Sequence, residues 1–127
     1  MAQQFIVQLR NEPGALATLA EELAARDVDL RAIGGGGLGG AGHVILTTAD
    51  DDTARRVLDD GGYTYFEGES LIAEVDDRPG GMARIARRLA DAGVNIHGHL
   101  FIGRWGDRAM FAFVVDDPEK ARPILEG

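Results

Sequence analysis

The sequence contains no cysteine, and this absence removes several classes of protein at once. Without thiols there can be no disulfide scaffold, no thiolate metal site and no cysteine nucleophile, so packing alone must hold the fold. No run of 18 apolar residues occurs, and no membrane-spanning helix is predicted. The first residues, 1–4, carry no basic stretch ahead of an apolar one, so we expect a cytoplasmic protein without an export signal.

Basic residues are also scarce, since 13 lysines and arginines stand against 21 acidic residues and the formal net charge is -8. Proteins that bind nucleic acid usually have the opposite balance or a clustered basic face. The pairs Arg55-Arg56 and Arg87-Arg88 fall in segments of helical pattern, where adjacent arginines are typical of a solvated face. We therefore expect neither nucleic acid nor membrane as a partner.

What the sequence does have is an internal repeat, in which a shift of 66 residues places Asn11 on Asp77. The same shift lays residues 11–14 (Asn-Glu-Pro-Gly) on residues 77–80 (Asp-Arg-Pro-Gly). It also aligns the apolar residues that follow each Pro-Gly pair, and later two acidic pairs. Agreement of the turn, the apolar face and the acidic pair in one register predicts two copies of one unit, residues 1–68 and 69–127.

Each copy opens with a strand pattern followed by a helix pattern. Residues 5–9 and 71–75 are short and β-rich, and each segment ends at a polar residue and Pro-Gly. Apolar residues then recur at the spacing of one helical face, over residues 16–23 and 82–89, and we expect these faces to be core. Proline suits the first turn of a helix, and we expect the side chains of Asn11 and Asp77 to cap the remaining N–H donors.

The remaining patterns complete the first copy but leave the second one strand short. Further strands are predicted at 28–33, 43–48, 94–102 and 109–115, further helices at 53–58 and 119–125, and a fourth strand of the first copy at 63–66. The order βαββαβ implies an α+β fold of ferredoxin-like units, with two helices on one face of an antiparallel sheet. The second unit lacks its last strand, so one sheet edge is open to a partner chain, and we expect a homo-oligomer such as a dimer.

These motifs resemble the ACT family of small regulatory amino-acid-binding domains. The family pattern is Asn or Asp, any residue, Pro-Gly, an apolar helix and then Gly-Val-Asn-Ile. The second copy matches it closely with residues 77–80 and 93–96, and the first matches more loosely with residues 11–14 and 27–30. The resemblance implies a stand-alone tandem ACT protein without an enzyme domain. It also implies an allosteric sensor that binds a small amino acid between ACT units, needs no cofactor and acts on a regulated enzyme or regulator protein.

The predicted ligand site lies at the start of the first helix in each copy. Backbone N–H groups and the positive end of the helix dipole can receive a carboxylate there, and glycine permits close approach. Polar residues at the helix start and at the opening of the second strand could accept bonds from an ammonium group. We expect the second copy to be the stronger site. The candidate ligand-binding residues are Asn11, Gly14, Ala15, Leu16, Asp29, Asp77, Gly80, Gly81, Met82, Asn95, Ile96 and His97.

Two other functions stay open at this point. The chain could be a structural or partner-binding module with an empty pocket. It could also bind a metal through His97 and His99, which share a strand face, if a third ligand such as His43 came near. No nucleophile with a base beside it can be assembled from local motifs, so we expect no enzymatic activity.

Two further segments invite a ligand-binding interpretation and are better explained by structure. The glycine-rich residues 34–42 lack the Lys-Ser or Lys-Thr ending of a phosphate-binding loop, and we expect a flexible hairpin loop that could close over the ligand. The acidic residues 50–52 and 116–117 lack the regular spacing of a calcium loop. They are expected to cap the helices that follow them.

Overall fold

The chain forms seven strands and four helices in the computed structural model, which describes residues 2–126. It divides into two compact units between Gly68 and Glu69. The elements in chain order are β1 (Gln3–Arg10), α1 (Ala15–Ala25), β2 (Leu30–Leu38), β3 (Ala41–Thr48), α2 (Asp51–Asp60), β4 (Tyr65–Glu69), β5 (Leu71–Asp76), α3 (Gly81–Asp91), β6 (Ile96–Trp105), β7 (Arg108–Val115) and α4 (Pro118–Glu126).

Each unit has its own antiparallel sheet. The strand order is β2-β3-β1-β4 in the first unit and β5-β7-β6 in the second. β3 pairs antiparallel with both β1 and β2, and β7 pairs antiparallel with both β5 and β6. The prediction of an α+β, ferredoxin-like fold is therefore confirmed, with the order βαββαβ in the first unit. Within the described residues the sheet of the second unit has three strands.

Apolar alternation along the strands and the apolar stripe of each helix build the two cores. β5 is the clearest strand, because Leu71, Ala73 and Val75 are buried and the residues between them are exposed. The core of the first unit is Phe5, Val7, Leu19, Leu23, Val28, Val44, Leu46, Ala54, Val57 and Leu58. The core of the second unit is Leu71, Ala73, Val75, Ile85, Leu89, Val94, Ala109, Phe113, Val115, Ala121 and Leu125.

One residue of the predicted helical face is not core. Leu19 and Leu23 of α1 are buried, whereas Leu16 is 50% exposed. Leu16 is the second residue of α1 and stands in its first turn. Its repeat equivalent Met82 is partly buried against the core of the second unit. The prediction of a fully buried face is therefore wrong at Leu16.

The glycine-rich segment is strand and not a flexible loop, which corrects the prediction. Residues 34–38 continue β2 and pair with β3, and only Gly39 and Gly40 lie outside the two strands. A strand ladder is made by backbone groups, so glycine can take part in it without a side chain. Gly39 has φ 63°, a left-handed conformation that suits the tight turn.

One acidic residue before the second helix of each unit is a cap, as predicted, whereas Asp51 and Asp52 lie within α2 and Asp116 accepts from the N–H of Asn95. Asp50 accepts a hydrogen bond from the N–H of Thr53 at 3.1 Å, and Asp117 accepts one from the N–H of Lys120 at 3.1 Å. Hydrogen bonds from the hydroxyl and the N–H of Thr53 lower the pKa of Asp50. Carboxylates at these positions satisfy N–H donors that have no partner within the helix.

Both tyrosines of the chain are expected to ionise late, because each lies near a carboxylate. Burial, and a hydrogen bond to Glu22, raise the pKa of Tyr63 to about 12. A hydrogen bond of 2.6 Å to Asp59, and burial, raise the pKa of Tyr65 to about 12. Since the folded state favours the neutral phenol, this contribution to stability is complete below the ordinary pKa of 10.0 and is lost as the pH approaches about 12.

An absorbance titration of phenolate checks this expectation, because the chain has only these two tyrosines. Both should titrate near pH 12 in the folded protein. Glu22→Gln should bring one of the two transitions closer to 10. Ionisation of both groups near pH 10, while circular dichroism still reports folded protein, would contradict the hydrogen bonds described here.

Candidate functional site

Both α1 and α3 begin directly after a glycine in the left-handed region, with φ 90° at Gly14 and φ 91° at Gly80. These glycines occupy the N-cap position, and neither helix has a side-chain cap. The prediction that Asn11 and Asp77 cap the helices is therefore wrong. A capping side chain bonds N–H groups two or three residues further on, and both residues stand too far from the first helical turn.

Asn11 instead fastens the helix start to the hairpin between β2 and β3. Its side-chain amide donates to the carbonyl of Gly39 at 2.8 Å, and its backbone N–H donates to the carbonyl of Gly40 at 3.2 Å. The side chain lies directly over Gly37, where an added Cβ would stand 2.5 Å from Cγ of Asn11. A larger residue at position 37 would displace the Asn11 side chain from this place.

A cavity of about 460 Å³ lies beside the start of α1, between the helix and the glycine-rich strand β2. This is within the size range of small-molecule pockets. Among the predicted site residues, Asn11, Ala15 and Leu16 line it. The full lining is Leu9, Arg10, Asn11, Glu12, Ala15, Leu16, Ile33, Gly34, Gly35, Gly36, Gly37, Gly42, His43 and Val44.

The helix start supplies hydrogen-bond donors on this side. The N–H of Ala15 donates to the carbonyl of Glu12 at 3.4 Å, and the N–H of Thr18 donates to that of Gly14 at 2.9 Å. The N–H groups of Leu16 and Ala17 belong to the same first turn, where donors have no partner four residues back within the helix. The positive end of the helix dipole lies here as well, so this end of the cavity favours an anionic group.

The charged and apolar parts of the cavity are separate. Arg10 and Glu12 line it next to the helix start, and neither side chain takes part in an ion pair within residues 2–126. Leu16 and Ile33 form an apolar wall and are 50% and 48% exposed. Asp29, another predicted site residue, is not in this lining. It is exposed and lies 3.4 Å from Arg31 in an ion pair.

The strand register relates the two units residue by residue. In the first unit, Leu9 of β1, Gly42 of β3 and Gly37 of β2 pair side by side across the sheet. In the second unit, Val75, Ala109 and Arg104 pair in the same way across β5, β7 and β6, and Val75 is the repeat equivalent of Leu9. Gly37 is therefore equivalent to Arg104, and the space above Gly37 holds the Asn11 side chain.

That arginine is held in place by two neighbours. Nε of Arg104 lies 2.8 Å from a carboxylate oxygen of Asp77, the repeat equivalent of Asn11. The guanidinium also lies over the ring of Phe101, 4.8 Å from its centroid. Phe101 corresponds through the register to Gly35 of the first unit. Two large side chains of the second unit thus stand at positions that are glycines in the first.

The other predicted site residues of the second unit have structural roles. Gly81 is buried, and an added Cβ would stand 2.2 Å from the carbonyl oxygen of Asp76. Met82 and Ile96 pack against the core. The backbone N–H of Asn95 donates to Oδ1 of Asp116 at 2.9 Å, which ties the opening of β6 to the end of β7.

Charged side chains near the end of β5 form an ion-pair network beside a smaller cavity of about 180 Å³. Asp76 accepts from Arg78 and Arg108, and Arg84 lies 3.3 Å from the same carboxylate. The hydrogen bond from Arg78, with the other two arginines nearby, lowers the pKa of Asp76. Arg78, Arg84 and Arg108 thus share the Asp76 carboxylate, and Arg108 also pairs with Glu74.

His97 and His99 are both exposed residues of β6. Within the part of the chain that the structure describes, no group of three or more His, Asp or Glu residues is placed to hold a metal ion. The same residues include no helix of the length and apolarity needed to cross a membrane.

Sequence reasoning missed the residues that distinguish the two units, namely Ile33, Gly37, Phe101 and Arg104. A signal was available in the repeat alignment, where a run of glycines in one copy faces bulky residues in the other. The interpretation of residues 34–42 as a loop concealed it. Once this segment is placed in β2, its glycines lie next to the start of α1, where the second unit has the larger residues Phe101 and Arg104.

Comparison with known proteins agrees with this architecture. The ACT domain model matches residues 70–126. No curated protein matches the chain. Among solved structures, a protein from Bacteroides thetaiotaomicron is 22% identical with a TM-score of 0.76, and the match covers 98% of this chain and 86% of that protein.

Two further structures are regulatory subunits of aspartate kinase. The subunit from Thermus thermophilus is 20% identical with a TM-score of 0.64, and the one from Thermus flavus is 19% identical with a TM-score of 0.62. Each match covers 98% of this chain and 90% of the subunit. At these identities the likeness establishes a shared fold.

Proposed function

Because the ACT domain model matches residues 70–126, we propose that this chain is a non-enzymatic regulatory module that binds a free amino acid. The observation that carries the proposal is the cavity between the start of α1 and the glycine-rich strand β2. The bound state would be transmitted to a regulated enzyme or regulator protein. The aspartate kinase regulatory subunits, which have a similar fold, give a precedent for such a role.

The charged part of the cavity, next to the helix start, suits the two charges that every free amino acid carries. The carboxylate is proposed to bind the N–H groups of Leu16 and Ala17 at the helix start, with Arg10 nearby. The ammonium group is proposed to pair with Glu12. A ligand of this kind satisfies the donors of the helix start and gives both unpaired side chains a partner.

The second unit is proposed not to bind a ligand at the equivalent place. The guanidinium of Arg104 already bonds Asp77 and covers Phe101, so an amino acid would have to displace both contacts. This argument reverses the expectation from sequence that the second copy is the stronger site. The proposed stoichiometry is therefore one amino acid for each chain.

A thermal-shift screen tests the proposal. Each of the twenty amino acids is added to the full chain, with and without divalent cations, because a ligand that binds only the native state raises the melting temperature by mass action. At least one amino acid should raise it without a metal. If none does, the module binds partners with its pocket empty. A shift produced only by divalent cations would instead favour a metal site at His97 and His99.

A ligand-free partner-binding module is the second candidate, and exposed apolar side chains favour it. Leu38 at the end of β2 is 88% exposed, and Trp105 at the end of β6 is 57% exposed. Exposed aromatic and aliphatic residues at hairpin tips are suited to contact another protein. The thermal-shift screen separates this candidate from the leading one.

We also propose that the chain is a homodimer or a larger oligomer. β2 is an edge strand, and its outward backbone groups have no neighbour within the sheet of the first unit. Pairing of this edge with a second copy would satisfy them and cover nearby apolar side chains. Light scattering should give at least twice the chain mass of 13.6 kDa. A mass of one chain at every concentration would rule out the assembly.

A further inference from the structure

We propose that the cavity of the first unit selects amino acids with an aliphatic side chain. The inference rests on the proposed function, because it names the ligand class for the same cavity. Leu16 and Ile33 carry it. They are large apolar residues, each about half exposed, and they line the same cavity, one from α1 and the other from β2. Single exposed apolar residues are ordinary, but two that share a cavity form a surface that an apolar group can cover.

The position of Ile33 directs its side chain toward the cavity. Ile33 pairs with Leu46, a core residue, so both side chains lie on the face of the sheet that the helices cover. α1 lies over that face, and Leu16 is in its first turn. β2 is the edge strand, so the side chain of Ile33 is not enclosed by a further strand.

The glycines of β2 contribute no side chain to the cavity. Gly35 and Gly37 lie on the same face as Ile33, since residues two apart along a strand share a face. Their equivalents in the second unit carry the Phe101 and Arg104 side chains. At Gly37 the Asn11 side chain covers the strand, and at Gly35 the backbone of β3 lies 2.4 Å from the place of a Cβ. This part of the cavity is therefore bounded by backbone, the Asn11 amide and the aliphatic side chains of Leu16 and Ile33.

A charged ligand side chain would find no partner in this part of the cavity. The charged lining residues are Arg10 and Glu12, which stand next to the helix start and serve the carboxylate and ammonium groups. His43 also lines the cavity. It precedes the core residue Val44 on β3, and side chains alternate along a strand, so the His43 side chain lies on the face of the sheet away from the helices. A lysine or aspartate side chain would lose its hydration against Leu16 and Ile33 without compensation.

Calorimetric titration of the full chain with a panel of amino acids tests the inference. Leucine, isoleucine and valine should bind about tenfold to a hundredfold more tightly than glycine, the range expected from covering one aliphatic side chain. Lysine and aspartate should bind no more tightly than glycine. If lysine or aspartate binds best, the inference is wrong and the proposed function still stands. If no amino acid binds, the proposed function itself fails.

Substitutions in the wall give a second, independent arm. Leu16→Ala and Ile33→Ala should each weaken leucine binding by about fivefold to twentyfold while glycine binding changes less than twofold. Ile33→Asp should reverse the preference, so that lysine binds more tightly than leucine. Ile72→Ala is the matched control, because Ile72 is a strand residue of similar exposure in the second unit, and it should leave leucine binding unchanged.

Circular dichroism and light scattering accompany each variant. A folded Leu16→Ala or Ile33→Ala protein that keeps its affinity for leucine would overturn the inference. The same conclusion would follow if these variants changed only the mass of the assembly, since the apolar wall would then be an interface between copies. Parallel loss of leucine and glycine binding would also overturn it, because the wall would not discriminate between side chains.

Discussion

Gly37→Arg is expected to abolish amino acid binding, with a loss of affinity of at least about a hundredfold. The substitution gives the first unit the residue that Arg104 supplies at the equivalent position of the second. A Cβ at position 37 would already stand 2.5 Å from the Asn11 side chain, and the guanidinium would extend into the cavity. Calorimetry with the amino acid found by the thermal-shift screen measures the effect.

Leu38→Arg is the matched control for this variant. Leu38 is the next residue of β2, so its side chain lies on the opposite face of the strand, and it is not among the residues that line the proposed site. The control should bind the amino acid with nearly unchanged affinity and add the same charge. A folded Gly37→Arg protein that binds as well as the control would place the ligand elsewhere.

Phe113→Ala is expected to lower the free energy of unfolding by about 3–5 kcal/mol. Phe113 is 0% exposed and lies in the core of the second unit, on the central strand β7. Removal of its ring leaves a cavity in a small unit that has few other large residues to fill it. Urea unfolding followed by tryptophan fluorescence measures the loss. Trp105 is the single tryptophan and belongs to the same unit, so it reports the relevant transition.

Phe101→Ala provides the comparison for that substitution. Phe101 is 48% exposed and packs edge to face on Phe111, with ring centroids 5.6 Å apart. Its removal should cost about 0.5–1.5 kcal/mol, the range of an aromatic pair. Equal losses for the two phenylalanines would contradict the description of the core.

The repeated pattern of the sequence was enough to predict the architecture. Leu16, Leu19 and Leu23 recur at the three- and four-residue spacing of one helical face, whereas Leu71, Ala73 and Val75 alternate as on one face of a strand. The Pro-Gly pairs then mark where each first helix begins. In these elements, apart from Leu16, the apolar residues that recur in the sequence are also the buried ones. The α+β, ferredoxin-like fold could therefore be predicted from the sequence.

The local geometry at the helix starts could not be predicted in the same way. Asn11 followed by Pro-Gly is compatible with a capped helix and with a left-handed glycine that begins the helix three residues later. Which of the two geometries forms depends on the hydrogen bonds that Asn11 donates to the carbonyls of Gly39 and Gly40, which are far from it in the sequence. Tertiary contacts of this kind are not visible in a short motif.

The difference between the two units depends on strand register. Arg104 reaches Asp77 because β6 shifts its register between Phe101 and Gly103, and this irregularity changes which residue faces the helix start. Simple alignment by 66 residues places Arg104 on Leu38 and hides the equivalence with Gly37. The asymmetry became apparent only when the paired residues were known.

Calorimetric titration of the unmodified chain tests the central claim most directly, because it counts the bound amino acid molecules. The amino acid with the largest thermal shift should bind with a stoichiometry of one for each chain, since Arg104 occupies the equivalent place in the second unit. Binding of two molecules for each chain, or no heat of binding with any amino acid, would contradict the account.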